Sequence, residues 1–231
     1  MSRRFEIDGV FVEVSSKDIK TIRLSVCRPD ARVKVSVPQR VPLAFVQQFV
    51  FQKMDWIKLQ QQKIRALKIV PPVQYQDDEI HQVWGKSFSM KLIPSKRMKV
   101  EIKDENVLLF TPPDASIAKK EGAIVRWHKT LLRDEIETLL AKWQPVMGVK
   151  ASSFLMQKMK SRWGTCNVRT HVIRLNSQLA KKHPDCLEYV LVHELVHLLE
   201  ASHNARFKSL MSQFMPDWPQ RKAKLAELPV D

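Results

Sequence analysis

The sequence predicts an α+β protein, with a β-rich module containing one long helix over residues 1–112 and a second domain over 113–231 that carries its chemistry on a C-terminal helix. Three observations lead there. Apolar and polar residues alternate with period 2 through much of the first 112 residues, the mark of half-buried strands. A long helical pattern follows TPPDAS at 111–116. Near the end, VLVHELVHLLEASHNARF sets His193-Glu194-x-x-His197 in an apolar helical context, with His203 shortly after.

FEIDGVFVEV alternates around an Asp8-Gly9 hairpin signal, and TIRLSV and ARVKVSV follow, which together read as a small antiparallel sheet. From Pro42 to about Lys68 the spacing turns helical, with Val46, Phe49, Val50, Trp56, Ile57 and Ile64 as the apolar stripe and Pro71-Pro72 as its stop. Residues 79–111 return to short strands, with turns at Trp84-Gly85-Lys86 and at 103–106. A helix is predicted from about Ser116 to Trp143. FLMQKMK and HVIRLN read as strands flanking a turn region, SRWGTCN, and Pro184 opens the histidine-bearing helix, with Asp185 and Glu188 near its start where acids suit the dipole. No repeat of fixed period is visible.

At 231 residues and 44% hydrophobic composition, the chain is ordinary for one large or two small globular domains and unlike a disordered protein. Its formal charge of +15 favours anionic partners, nucleic acid or acidic surfaces. Between Glu137 and Asp185 there is no acidic residue, yet nine Lys or Arg fall there, Lys160, Arg162 and Arg174 among them. MSRRFEIDGV has no apolar core of signal-peptide length, and no run of 18 apolar residues occurs, so a cytoplasmic protein without a membrane partner is expected. Cys27, Cys166 and Cys186 are widely spaced with no C-x-x-C pair, which indicates free thiols.

Histidines four apart lie on one helical face, so His193 and His197 can each offer a ring nitrogen to one ion. Glu194, about 100° round the helix from His193, stands where a general base holds the water of a metal-assisted hydrolase. A catalytic zinc needs a third protein ligand and an open position. Two residues compete for that role. Glu200 shares the histidine face but lies about 10 Å of rise beyond His193. His203 needs the chain to turn at about Ala201-Ser202, with Ser202 and Asn204 suited to the turn and to capping the next helix. The His197-to-His203 spacing equals that of HExxHxxGxxH, with Glu200 at the glycine's place, so a longer or later turn is expected, with His203 as ligand and Glu200 orienting a ligand histidine.

These residues resemble the YgjP-like metallopeptidases, a zincin group related to the SprT-like and WLM proteases. KSRWGTC at 160–166, Leu175-Asn176 with Leu179, and YVLVHELVH at 189–197 are similar to that family's motifs, as are His203 with Phe207 and Met215-Pro216-Asp217-Trp218. Thr165 stands where the family usually has serine. The resemblance implies a zincin-like, gluzincin-type metallopeptidase domain with its HExxH helix on a small antiparallel sheet. It implies Zn2+ held by His193, His197 and His203, with Glu194 as catalytic base. HVIRLN then becomes a candidate substrate-pairing edge, and Asn176 a residue bonding a neighbouring loop or the substrate. Trp163 reads as a packing aromatic or a substrate contact, while Tyr189, Arg162 and His171 are further candidates beside the centre. The leading functional reading is a zinc peptidase acting on peptides or proteins. The competing one is a basic nucleic-acid-binding protein with a structural or vestigial zinc, or a protease recruited to nucleoprotein.

Overall fold

The computed structural model describes residues 2–27, 30–66 and 73–226, and the chain divides into two compact units, Met1–Pro72 and Val73–Asp231. The first unit holds β1 (Ser2–Ile7), β2 (Val10–Lys17), β3 (Arg23–Cys27) and β4 (Arg32–Pro38), followed by α1 (Leu43–Gln52) and α2 (Met54–Ala66). Asp8 and Gly9 both take positive φ and close the first hairpin as their sequence signals. The sheet order is β1-β2-β4-β3, and its central pair β2–β4 is parallel, so the sheet is mixed rather than antiparallel. Val10, Val12 and Val14 face Val33, Val35 and Val37, and Val46, Val50, Met54 and Ile57 cover them. The single helix expected over 42–68 is two, separated at Lys53, and Trp56, expected in the stripe, is 43% exposed. Pro71-Pro72 lies outside the described residues.

The second unit begins with β5 (Ile80–Val83), β6 (Lys86–Pro94), β7 (Lys99–Lys103) and β8 (Asn106–Thr111), in the order β5-β6-β8-β7. That order and its antiparallel, parallel, antiparallel pairings repeat those of the first sheet, so the chain contains a topological repeat that no fixed sequence period reveals. α3 (Ile117–Met147) follows, capped by Ser116 at its start and ended by Gly148 in the left-handed region. Ala123 and Ile124 of α3 join the core under this second sheet, with Val83, Met90, Val107 and Leu109. The packing division at Pro72–Val73 therefore differs from the boundary at 112–113 read from TPPDAS. Those prolines separate a sheet from the helix that covers it, and both lie in one unit.

β9 (Ser153–Gln157), β10 (Gly164–Asn167) and β11 (Val172–Asn176) form a third sheet, followed by a 3-10 turn at Ser177–Lys181 and by α4 (Pro184–Val196), α5 (Ala205–Phe214) and α6 (Trp218–Ala226). β10 occupies the stretch expected as a turn, and the β9–β11 pair is parallel, so this sheet too is mixed. The Trp84-Gly85 turn joins the second sheet to this region: Trp84 N donates to Ala180 O at 2.8 Å and Gly85 N to Lys181 O at 3.2 Å. α4 is buried on almost every face (Leu187, Leu191, Val192 and Leu195 among others), because its apolar residues run round the helix rather than along one stripe. Glu188 accepts from Lys142, Trp143 and Arg221 and so ties α3, α4 and α6 together. No described helix is long and apolar enough to cross a membrane.

Candidate metal centre

α4 carries His193 and Glu194 in its last turn and ends at His197, which still has helical dihedrals. The chain then turns. Leu198 N donates to Leu195 O, and Leu199 N and Glu200 N both donate to Val196 O, so the reversal begins at His197, before bends at Ala201 and Ser202. No residue from 197 to 204 takes a positive φ, so this turn has no position that calls for glycine, and Glu200 is accommodated without strain. Asn204 caps α5 by accepting from Phe207 N at 3.0 Å and donates to Ser202 Oγ at 3.1 Å. His203 is thereby held against the end of α4.

The ligand-capable atoms of His193, His197 and His203 all lie within 4.8 Å of one another. His203 Nε2 and His193 Nε2 are 2.9 Å apart. Two imidazole nitrogens on one tetrahedral zinc lie about 3.4 Å apart, so three imidazoles so close are a donor set that suits zinc. Burial, helped by the neighbouring imidazoles, pushes His193 down to about 4 and lowers His197 as well, which favours the unprotonated, metal-binding form. His197 Nδ1 faces the Glu200 carbonyl at 3.2 Å. A carbonyl only accepts, so Nδ1 carries the hydrogen and Nε2 keeps its lone pair for a cation.

Glu200 therefore acts through its main chain on His197, whereas its carboxylate accepts from Ser202 N at 3.2 Å and Ser202 Oγ at 3.0 Å. Those bonds lower its pKa and tie the acid to the turn. The expectation of a carboxylate orienting the histidine is corrected to a carbonyl. Phe207, buried, packs its ring centroid 4.7–4.8 Å from all three imidazoles, a role the H-x-x-x-F spacing indicates only once the turn is known.

Glu194 is 4% exposed, and burial pushes it up to about 8 against the opposing pull of Arg162. β10 crosses directly over it. A Cβ on Gly164 would stand 2.5 Å from Glu194 Oε1 and 2.9 Å from Val190 Cγ1, so only glycine admits this approach. Nothing in the sequence couples residues 164 and 194 except the separate presence of the two motifs.

Asn176 is fully buried and fastens the loop that leads into β10. Its amide donates to Met159 O and Arg162 O, both at 2.9 Å; its side-chain oxygen accepts from Met159 N and Gln178 N; and its backbone N donates to Trp163 O at 2.9 Å. Of the two roles expected for Asn176, it thus performs the loop bond. Trp163 is half-buried against the core, with the Lys182 ammonium 5.1 Å from its ring, and so packs as the plainer reading had it.

HVIRLN is not an edge. β11 lies between β10 and β9, and among the described residues the edge strand nearest Glu194 is β10. His171 sits in the β10–β11 turn, at the far end of the hairpin from Gly164, and is not brought to the centre. Tyr189 is buried, its ring 5.9 Å from that of His193, and burial together with Glu194 raises it to about 12.

The family described as YgjP-like, metallopeptidase domain, matches residues 20–228. Among solved structures, the metallopeptidase zymogen abylysin of Pyrococcus abyssi is similar at 18% identity and a TM-score of 0.36, over 39% of the present chain and 90% of its own. The zymogen jannalysin of Methanocaldococcus jannaschii aligns at 18% identity and a TM-score of 0.36, over 40% of the present chain and 94% of its own. No curated protein matches.

Proposed function

The chain belongs to the YgjP-like metallopeptidase family, and from that premise we propose that it is a zinc-dependent peptidase of the HExxH, zincin-like type. One observation carries the reading: three imidazoles whose ligand atoms lie within 4.8 Å of one another, next to a buried glutamate. In this reading His193, His197 and His203 hold the ion and Glu194 is the catalytic base. Zinc, when bound, supplies Lewis-acid polarisation of a carbonyl and makes water a better acid.

The chain's own residues do the rest. Glu194 takes the proton of the attacking water on its carboxylate and returns it to the departing amide nitrogen. Its low-dielectric surroundings raise its basicity, and a cation at the histidines would draw the raised pKa back down. The Glu200 carbonyl fixes the tautomer and plane of His197. Phe207 backs the three rings and keeps water from their far side. The free side of β10 offers backbone groups to an extended peptide.

The test is metal analysis of the wild type beside His203→Ala and Glu200→Ala, with peptide hydrolysis by Glu194→Gln. Zinc should be lost in the histidine variant and kept in both glutamate variants, and Glu194→Gln should lose roughly 10²- to 10⁴-fold in rate. Zinc loss in Glu200→Ala alone, or undiminished hydrolysis by Glu194→Gln, would sink the assignment.

A further inference from the structure

Lys160-Ser161-Arg162 is an exposed basic segment on a loop that is fixed at both ends. Asn176 spends both amide hydrogens on it, at Met159 O and Arg162 O, and Trp163 buries part of its ring in the core just after it. Two residues on from Arg162, Gly164 lies against the Glu194 carboxylate. Two residues of chain span at most about 7 Å, so the Arg162 backbone is within that distance of the strand position that touches the proposed base. The guanidinium field reaches Glu194, yet among the described residues Arg162 forms no ion pair with it or with any other acid. The segment from 138 to 184 contains no acid, and Lys142 and Lys158 find their carboxylate partners outside it, at Glu188 and Glu121.

An arginine held on a rigid loop, exposed and without a counterion, presents a planar fork suited to a carboxylate. We infer that Arg162 forms a carboxylate-binding subsite of the peptidase cleft, so that preferred substrates are peptides carrying an acidic side chain or a free C-terminal carboxylate beside the scissile bond. The inference rests on the peptidase reading for its setting but concerns binding, and binding can be measured without turnover.

The experiment uses full-length, zinc-loaded Glu194→Gln protein and fluorescent peptides in matched pairs: Asp or Glu against Asn or Gln, and free against amidated C-termini. A preference of about tenfold for one carboxylate form is expected, the size of a charge-assisted bond partly open to water. The pair that discriminates identifies the source of the carboxylate. Adding Arg162→Ala should bring the ratio near one, Arg162→Lys should keep part of it, and Arg162→Glu should favour lysine-bearing peptides. Unchanged ratios in Arg162→Ala overturn the inference. So does Arg162-dependent, salt-sensitive binding of a single-stranded oligonucleotide without carboxylate discrimination. If the wild type cleaves no peptide while the Arg162-dependent discrimination persists, the hydrolytic reading fails and the carboxylate subsite stands.

Discussion

Two histidine clusters occur in the second unit, and both bring Nε2 atoms into contact: His193 with His203 at 2.9 Å, and His81 with His128 at 3.1 Å. Their surroundings differ. The first gathers a third imidazole, is partly open to solvent, and lies next to Glu194. The second has only two members, 4% and 2% exposed, stacked with ring centroids 5.2 Å apart beside Trp127. One pairs β5 with α3 in the interior; the other closes the end of α4. An imidazole pair alone is therefore no sign of a metal centre. What separates the two is a third donor, an open side and a neighbouring carboxylate, and these depend on where the chain turns.

The comparison breaks if the buried pair takes metal. His193→Ala should weaken zinc binding by on the order of a thousandfold, whereas a His81→Leu/His128→Leu double variant should keep the wild-type stoichiometry in metal analysis. A fall in zinc content in the double variant would merge the two clusters into one class.

Next in size is Phe207→Ala, which removes a buried ring from beneath the triad. It should cost about 3–5 kcal/mol in denaturant unfolding and weaken zinc binding as the imidazoles lose their backing. Wild-type zinc affinity in a destabilised variant would show that the rings are held by α4 and the turn alone.

The pH response sharpens the contrast further. Burial drives His81 down to about 4, with the Lys181 charge adding to the effect and Glu79 opposing it. Burial, then His81 and Lys181, drive His128 down to about 3. Both pKa values are depressed in the fold, so the unfolded chain binds more protons below the ordinary value of 6.5. The stabilising contribution is thus complete above pH 6.5 and is lost as pH falls from there through 4 toward 3. Metal-free wild type should lose a few kcal/mol over that window relative to the His81→Leu/His128→Leu variant, measured by chemical denaturation. Parallel curves for the two proteins would show that other groups dominate the acid response.

The smallest effect belongs to Glu200→Ala. It removes the carboxylate's bonds to Ser202 and Asn204 and leaves the carbonyl that orients His197, so denaturant unfolding should shift less than in any variant above, and metal analysis should find zinc retained.

Much of this was legible from residue spacing. Asp8-Gly9 marked a hairpin, Ser116 a helix start, and the four-residue separation of His193 and His197 a shared face, because each depends on local geometry. Other features depend on partners distant in sequence. β10 lay hidden inside SRWGTCN because four residues with a glycine at their head show no clear alternation, and they become a strand only when β11 pairs with them. HVIRLN looked like an edge because a strand's pattern does not say how many neighbours it has. His81 and His128 gave no signal at all, since β5 and α3 bring them together across the core.

By itself the sequence determined the character of α4, the identities of the three imidazoles and the glutamate at and just beyond its end, and the basic composition of the strands before it; all follow from periodicity and charge along one chain. Tertiary structure decided that the turn after His197 needs no glycine, that Glu200 speaks through its carbonyl, and that Gly164 lies on Glu194. Those are distances between residues brought together by packing, and no local rule of helix or strand contains them.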